Sequence, residues 1–358
     1  MNLVVVWLKR QLTNPQVVIL GGIFLACFLI IYFLGRMLIP LFVALIIAYM
    51  LEGVIRTLAR SRLPRSVLVA MVFSVFLAMV LVAFFLLIPL LIKQITQLVQ
   101  QIPNMVDQAQ IMLKQLPEKY PRYVSHEQIE ALLAHLQTEL VVFGQNILAG
   151  IFDSVIGFIT LVVYVFIVPL LVFFFLKDKD KMIGWITGFL PRERSLSVQV
   201  WLDADRQIGN YIRGKAWEIL IIWSAAYIIF TVFKLPFAML LSLLVGLSVI
   251  VPYVGATVVT VPVVLVAYFH FGISPSFFYV SGAYLVLQIL DGNLLVPLLF
   301  AEVVDLHPVA TISALFIFGG LWGLWGVFFA IPLATLIQAV LTAWPRSKHP
   351  DDHAPVAL

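Results

Sequence analysis

The chain has 358 residues, of which 63% are hydrophobic and 11% charged, with a formal net charge of +4 and a mean hydropathy of +1.08. A soluble domain carries about 25% charged residues, so this composition excludes a soluble globular fold. The basic excess is small and scattered, which excludes a nucleic-acid footprint, and the single cysteine, Cys27, excludes a disulfide framework or a cysteine-based metal site.

An all-α, polytopic membrane protein with about eight transmembrane helices is expected. A bilayer core about 30 Å thick needs roughly 20 apolar helical residues. Candidate spans fall at 17–34, 37–51, 67–92, 155–176, 216–233, 238–266, 277–290 and 309–344. No small-residue cleavage site follows the first apolar run, which is therefore expected to stay as a span. The organisation predicted is three N-terminal spans over 1–92, a polar helical insert over 93–146, a fourth span over 147–176, amphipathic helices over 177–215, a membrane region with broken helices over 216–345 and a disordered tail over 346–358.

In the first insert, Ile95, Leu98, Val99, Ile102, Val106 and Leu113 recur at three- and four-residue steps, one face of a helix. A second stripe follows from Ile129 to Ile147, so the insert reads as a helical hairpin. Its stripes can pack on each other, on the membrane or on a neighbouring subunit. The second insert opens with Lys177-Asp178-Lys179-Asp180-Lys181, a solvated turn, and continues as interfacial helices.

From 235 to 290 the chain passes without one Asp, Glu, Lys or Arg, yet Ser248, Pro252, Gly255, Pro262 and Gly272 interrupt it. Irregular backbone at membrane depth survives only where protein buries it or a cavity is lined by it. Around Ser248, Pro252, Tyr253 and Gly255, the proline removes a backbone bond and the glycine permits a left-handed turn. Half-helix ends there can hold a polar solute or ion; the alternative is a packing kink. Further on, Gln288, Asp291-Gly292-Asn293 and His307 follow. Asp291 at a glycine-broken span end can bind a cation or a proton, or Asp-Gly-Asn can be a plain turn. His307 can carry a proton or cap a helix. Gly319, Gly320, Gly323 and Gly326, with Pro332 beyond, lie in a stretch too long for one straight crossing, so a broken or re-entrant helix is expected there. Glu218 reads as a local ion pair with Lys215.

There is no phosphate loop, no His-Glu-x-x-His and no Gly-x-Ser-x-Gly. An enzyme is not expected, nor a cofactor or metal. The rival classes are a serine hydrolase at Ser248, which lacks an evident base and oxyanion hole, and a non-transporting membrane scaffold.

Asn210-Tyr211-Ile-Arg213-Gly214-Lys215, Val251-Pro252-Tyr253-Val-Gly255, Asp291-Gly292-Asn293 with Pro297, Leu306-His307-Pro308 and Gly319-Gly320 through Ala330-Ile331-Pro332-Leu333-Ala334 occur in this order. As an ordered set they resemble the autoinducer-2 exporter (AI-2E) family, closest to its permease branch. The resemblance covers about residues 1–345. It implies an eight-span transporter of the bacterial inner membrane, assembled as a homopentamer. Family members include an exporter of autoinducer-2 and sodium or lithium–proton antiporters. The transported species expected here is a small polar solute or a cation.

Eight spans would put both termini on one side. Assigning that side to the cytoplasm places 16 of the 22 Lys and Arg inside and 6 outside, in line with the positive-inside rule. In a Cys27→Ala background, a cysteine at Ser125 should react with a membrane-impermeant thiol reagent added to whole cells, and one at Ser195 should not. The reverse pattern would invert the topology.

Overall fold

The computed structural model describes residues 15–60, 63–114, 139, 142, 144–146, 155–188, 195–252, 254–300 and 307–343. All the regular elements among them are helical. In chain order they are α1 (Pro15–Leu58), α2 (Arg65–Val82), α3 (Ile88–Lys114), α4 (Val155–Lys177), α5 (Lys179–Gly188), α6 (Ser195–Val232), α7 (Ala238–Ser248), α8 (Val254–Phe271), α9 (Pro275–Leu290), α10 (Val296–Phe300) and α11 (Pro308–Ala343). Among the described residues, five stretches are long and apolar enough to cross a membrane, by length and composition: Met37–Leu58, Arg65–Ile111, Asp205–Val232, Val254–Phe271 and Pro275–Phe300. Val162–Lys177, Ala238–Ser248, Val309–Gly323 and Trp325–Gln338 are shorter apolar helices.

Several boundaries differ from expectation. The first two candidate spans are a single helix, α1, which runs through Pro40 without a turn. The third span continues unbroken into the insert, because α2 and α3 are joined by a π-turn at Ala83–Leu87. A second π-turn, Asp291–Leu295, joins α9 to α10. Both have one cause. A proline sits at the second position after each, Pro89 and Pro297. Its ring clashes with the carbonyl four residues back and it has no N–H to donate. Widening the preceding turn relieves the clash, and Ile88 and Val296 donate their N–H groups five residues back, to Ala83 and Asp291.

The chain resolves into two compact units. One contains 1–42, 178–213 and 300–358; among its described parts, Phe42 packs edge-on against Phe329 and Tyr211 lies against Phe300. The other contains 43–177 and 214–299 and holds two apolar cores. In the smaller, Ala44, Ala48 and Ile55 of α1 meet Leu68, Val69 and Val72 of α2 and Val172 and Leu176 of α4. Glu52 on α1 is clamped at its two oxygens by Arg65, each 3.1 Å away, and Arg65 also donates to the Leu176 carbonyl at the end of α4. The larger core gathers Ile222, Ala226 and Phe230 of α6 with Leu241 and Val245 of α7, Val263 and Val266 of α8, and Val280 and Tyr284 of α9. Ile95 and Leu98 of α3 pack on it, and Val99 and Ile102 lie against Gly144. The insert stripe is thus covered within the protein along these residues.

Lipid is as apolar as leucine, so close packing rather than hydrophobic burial holds such helices together. The chain reverses twice at close range. Ser248 and Gly255 would be about 10 Å apart along a straight helix, yet a Cβ at Gly255 would collide with the Ser248 carbonyl. So α7 and α8 fold back on each other between Ser248 and Val254. Likewise a Cβ at Gly326 would collide with the Phe318 carbonyl, and Gly319 lies against Val327. The reversal there is at Gly323 (φ 60°, ψ −138°), which confirms the break expected in α11. Gly255 corrects the sequence reading: positive φ is found at Gly272 and Gly323 among the described glycines, not at Gly255. What Gly255 supplies is room for a carbonyl. Gly255→Ala should therefore destabilise the protein by about 1–3 kcal/mol. Gly282→Ala, on open helix surface, should stay within about 0.5 kcal/mol. Thermal unfolding in detergent checks this; equal shifts would mean that the approach to Ser248 is not limiting.

Candidate functional site

The end of α7 is the focus of the unit's polar groups. Gly246 lets α7 approach α6 at Trp223 and the Ile219 carbonyl. That crossing brings Lys215 and Glu218 on α6 to the carbonyls released where α7 ends. Lys215 Nζ donates to Glu218 Oε2 at 2.7 Å and to the Val249 carbonyl at 2.8 Å. Both side chains are buried, with 6% of Lys215 and 2% of Glu218 exposed. The ion pair was legible as a local contact in the sequence; its tie to α7 was not.

Asp291 completes the cluster. It opens the second π-turn and is 9% exposed. Its Oδ1 is buried without a hydrogen-bond partner. Lys215 acts electrostatically on both carboxylates, and Asp291 acts on Glu218. The expected position of Asp291, at a turn ending its span, is corrected: the helical path continues from Pro275 to Phe300, with Asp291 about 24 Å from one end and about 14 Å from the other at 1.5 Å per residue. A carboxylate there is inside the span, and unpaired polar groups at such depth are costly and usually functional.

A polar ladder runs up from it. Gln288, three residues earlier on α9, donates from Nε2 to Tyr284 Oη at 2.6 Å. Thr260 of α8 has its hydroxyl proton committed to the Ala256 carbonyl. The 3.0 Å contact between Thr260 and Tyr284 is therefore a donation by tyrosine. The ladder joins α8 to α9 with the direction of each of its bonds assigned. An amide does not relay protons, so Gln288 makes it a clamp rather than a proton wire.

The other candidate residues are placed as follows. The Ser248 hydroxyl donates to the Val245 carbonyl at 2.7 Å, a back-bond within its own helix; no base partners it among the described residues. Pro252 is half-buried in the reversal, and Tyr253 lies outside the described residues. Asn293 is exposed and donates to the Ile289 carbonyl. His307 is exposed and accepts from the Val309 N–H, the cap of α11. Gly319, Gly320, Gly323 and Gly326 make the second reversal. Pro332 is buried within α11 and its carbonyl accepts from Thr335. Gln94 was not singled out by the sequence, but its Oε1 accepts from the Leu240 N–H and caps the start of α7. A cavity of about 310 Å³ lies beside it, lined by Gln94, Gln97, Gln100, Gln101, Pro236 and Phe237.

Membrane-length apolar helices, two helical reversals and an ionisable cluster inside the spans define a polytopic membrane protein of the transporter kind. The chain belongs to the AI-2E transporter family: the model of AI-2E family transporters matches residues 22–346. It is 41% identical over 342 residues to the protein named "Putative permease PerM" of Escherichia coli (strain K12), covering 96% of this chain and 97% of that one. It is 20% identical over 333 residues to the AI-2 transport protein TqsA of the same organism, covering 92% of each. Family and relatives indicate a membrane transporter rather than an enzyme.

Tyr284→Phe would leave the Gln288 amide without its acceptor, at a cost of about 1–3 kcal/mol. Tyr227→Phe, on an exposed position of α6, should cost less than about 0.5 kcal/mol. Melting temperatures of the two variants in one detergent separate these outcomes.

Proposed function

We propose that this chain is a secondary transporter of the bacterial inner membrane, with the basic segments 56–65 and 177–215 on the cytoplasmic side, that moves a small polar solute or a cation at the Lys215–Glu218–Asp291 cluster. Energy comes from a proton or sodium gradient, since the sequence offers no phosphate loop. The observation that carries this reading is Asp291: a carboxylate in mid-span, in a widened turn, with one oxygen unpaired. π-turns of this kind recur at functional sites. The reversal between α7 and α8 supports it, because the carbonyls it releases lie beside the cluster, as in transporters with discontinuous helices. The lysine and arginine bias supports the orientation, and the family resemblance supports a homopentamer. The family name and TqsA make autoinducer-2 one solute to try, at an identity too low to select it.

Asp291→Asn keeps the shape and removes the charge. In proteoliposomes, it should abolish flux driven by a proton or sodium gradient while leaving expression and assembled mass unchanged. Normal flux in this variant would remove Asp291 from the coupling site.

A further inference from the structure

Among the described residues of 214–299, the buried ionisable side chains with a formal charge are Lys215, Glu218 and Asp291, one basic and two acidic, so their formal charges sum to one negative. Lys215 Nζ lies 2.7 Å from a carboxylate oxygen and 2.8 Å from a helix-end carbonyl. These are the ligand types that a monovalent cation would take from the protein. The ammonium is a compact point charge on a flexible stem, and it cannot leave. Asp291 Oδ1, buried and unpartnered, is the position where a second cation is still wanted.

We propose that Lys215 is the resident cation of the site: it fills, on a covalent tether, one of two cation positions made by Glu218, the Val249 carbonyl and Asp291, and so limits the site to one exchangeable sodium ion. This rests on the reading of Asp291 given above. A plain capping role for Lys215 at the end of α7 is the competing account, and it makes no statement about how many cations the protein binds. The resident-cation account does. Each formal charge changed in the cluster should change the number of bound cations by one, since a buried net charge is far more costly than a bound counter-ion.

The test is the binding of radioactive sodium to purified, detergent-solubilised full-length protein at saturating NaCl, with choline chloride as control. Wild type should bind one sodium per protomer. Glu218→Gln should bind none, Lys215→Met two, and the double variant Lys215→Met/Glu218→Gln should return to one. Lys215→Arg, which keeps the charge, should stay at one. If Lys215→Met does not yield monodisperse protein, the fall in Glu218→Gln and the return in the double variant decide the matter. One sodium in wild type and in every variant overturns the resident-cation role and leaves the Asp291 site standing. No sodium in wild type removes the sodium site itself, and this proposal with it.

Discussion

The contact between the Lys215 ammonium and the Val249 carbonyl is the point on which the membrane unit turns. A carbonyl at the end of a helix needs a partner when water is absent. Here the partner is a charged side chain from a different helix, whose own charge is balanced by Glu218 one turn away. The reversal of α7 into α8, the close approach of Gly255, and the crossing at Gly246 all serve to bring that carbonyl and that ammonium together. A buried ion pair alone is weak evidence for stability. One that also satisfies a broken helix end ties the charge state of the site to the path of the backbone.

Two kinds of device bend the helices of this protein, and they act differently. At Gly255 and Gly326 a missing Cβ lets the chain fold sharply against a carbonyl. At Pro89 and Pro297 the helix keeps its course and only its turn widens. The first makes half-helices too short to cross a bilayer; α7 has 11 residues, about 16 Å at 1.5 Å per residue. The second keeps long helices continuous while loosening their hydrogen bonds at one turn. Asp291 is placed by the second, and the Val249 carbonyl by the first.

Much of this was legible in the sequence. Composition and the uncharged run over 235–290 gave an all-helical membrane protein. The glycine cluster near Gly323 gave the break in α11, and the order of weak motifs gave the family. The misplacements share a physical origin. Asp291-Gly292-Asn293 has the residues of a turn, but Pro297 lies six residues past Asp291 and converts the stretch into a π-turn inside a continuing helix. Gly255 has the look of a left-handed residue, while its requirement is a distance to Ser248, seven residues earlier and across a reversal. Lys215 and Glu218 read as neighbours three apart on one helix; their contact with Val249 depends on the α6–α7 crossing, which no local pattern encodes. Tyr284 and Thr260 were hidden for the same reason.

A π-turn holds one residue more than the α-turn it replaces. On a helix of 3.6 residues per turn, one extra residue rotates everything beyond it by about 100° and lengthens the helix by only about 1.5 Å. The turn at Asp291–Leu295 is therefore a phase step between α9 and α10. Tyr284, Gln288 and Asp291 line one face on its near side, and the side chains from Val296 onward point where an unbroken α-helix would have put their neighbours. Loss of any single residue from this turn would leave the length of the span almost untouched. It would also leave the later side chains pointing as they do, because the π-turn already absorbs one residue; closing the turn to a regular α-turn without a deletion would instead swing them by about 100°, so in this part of the chain the widened turn matters as much as the identity of its residues.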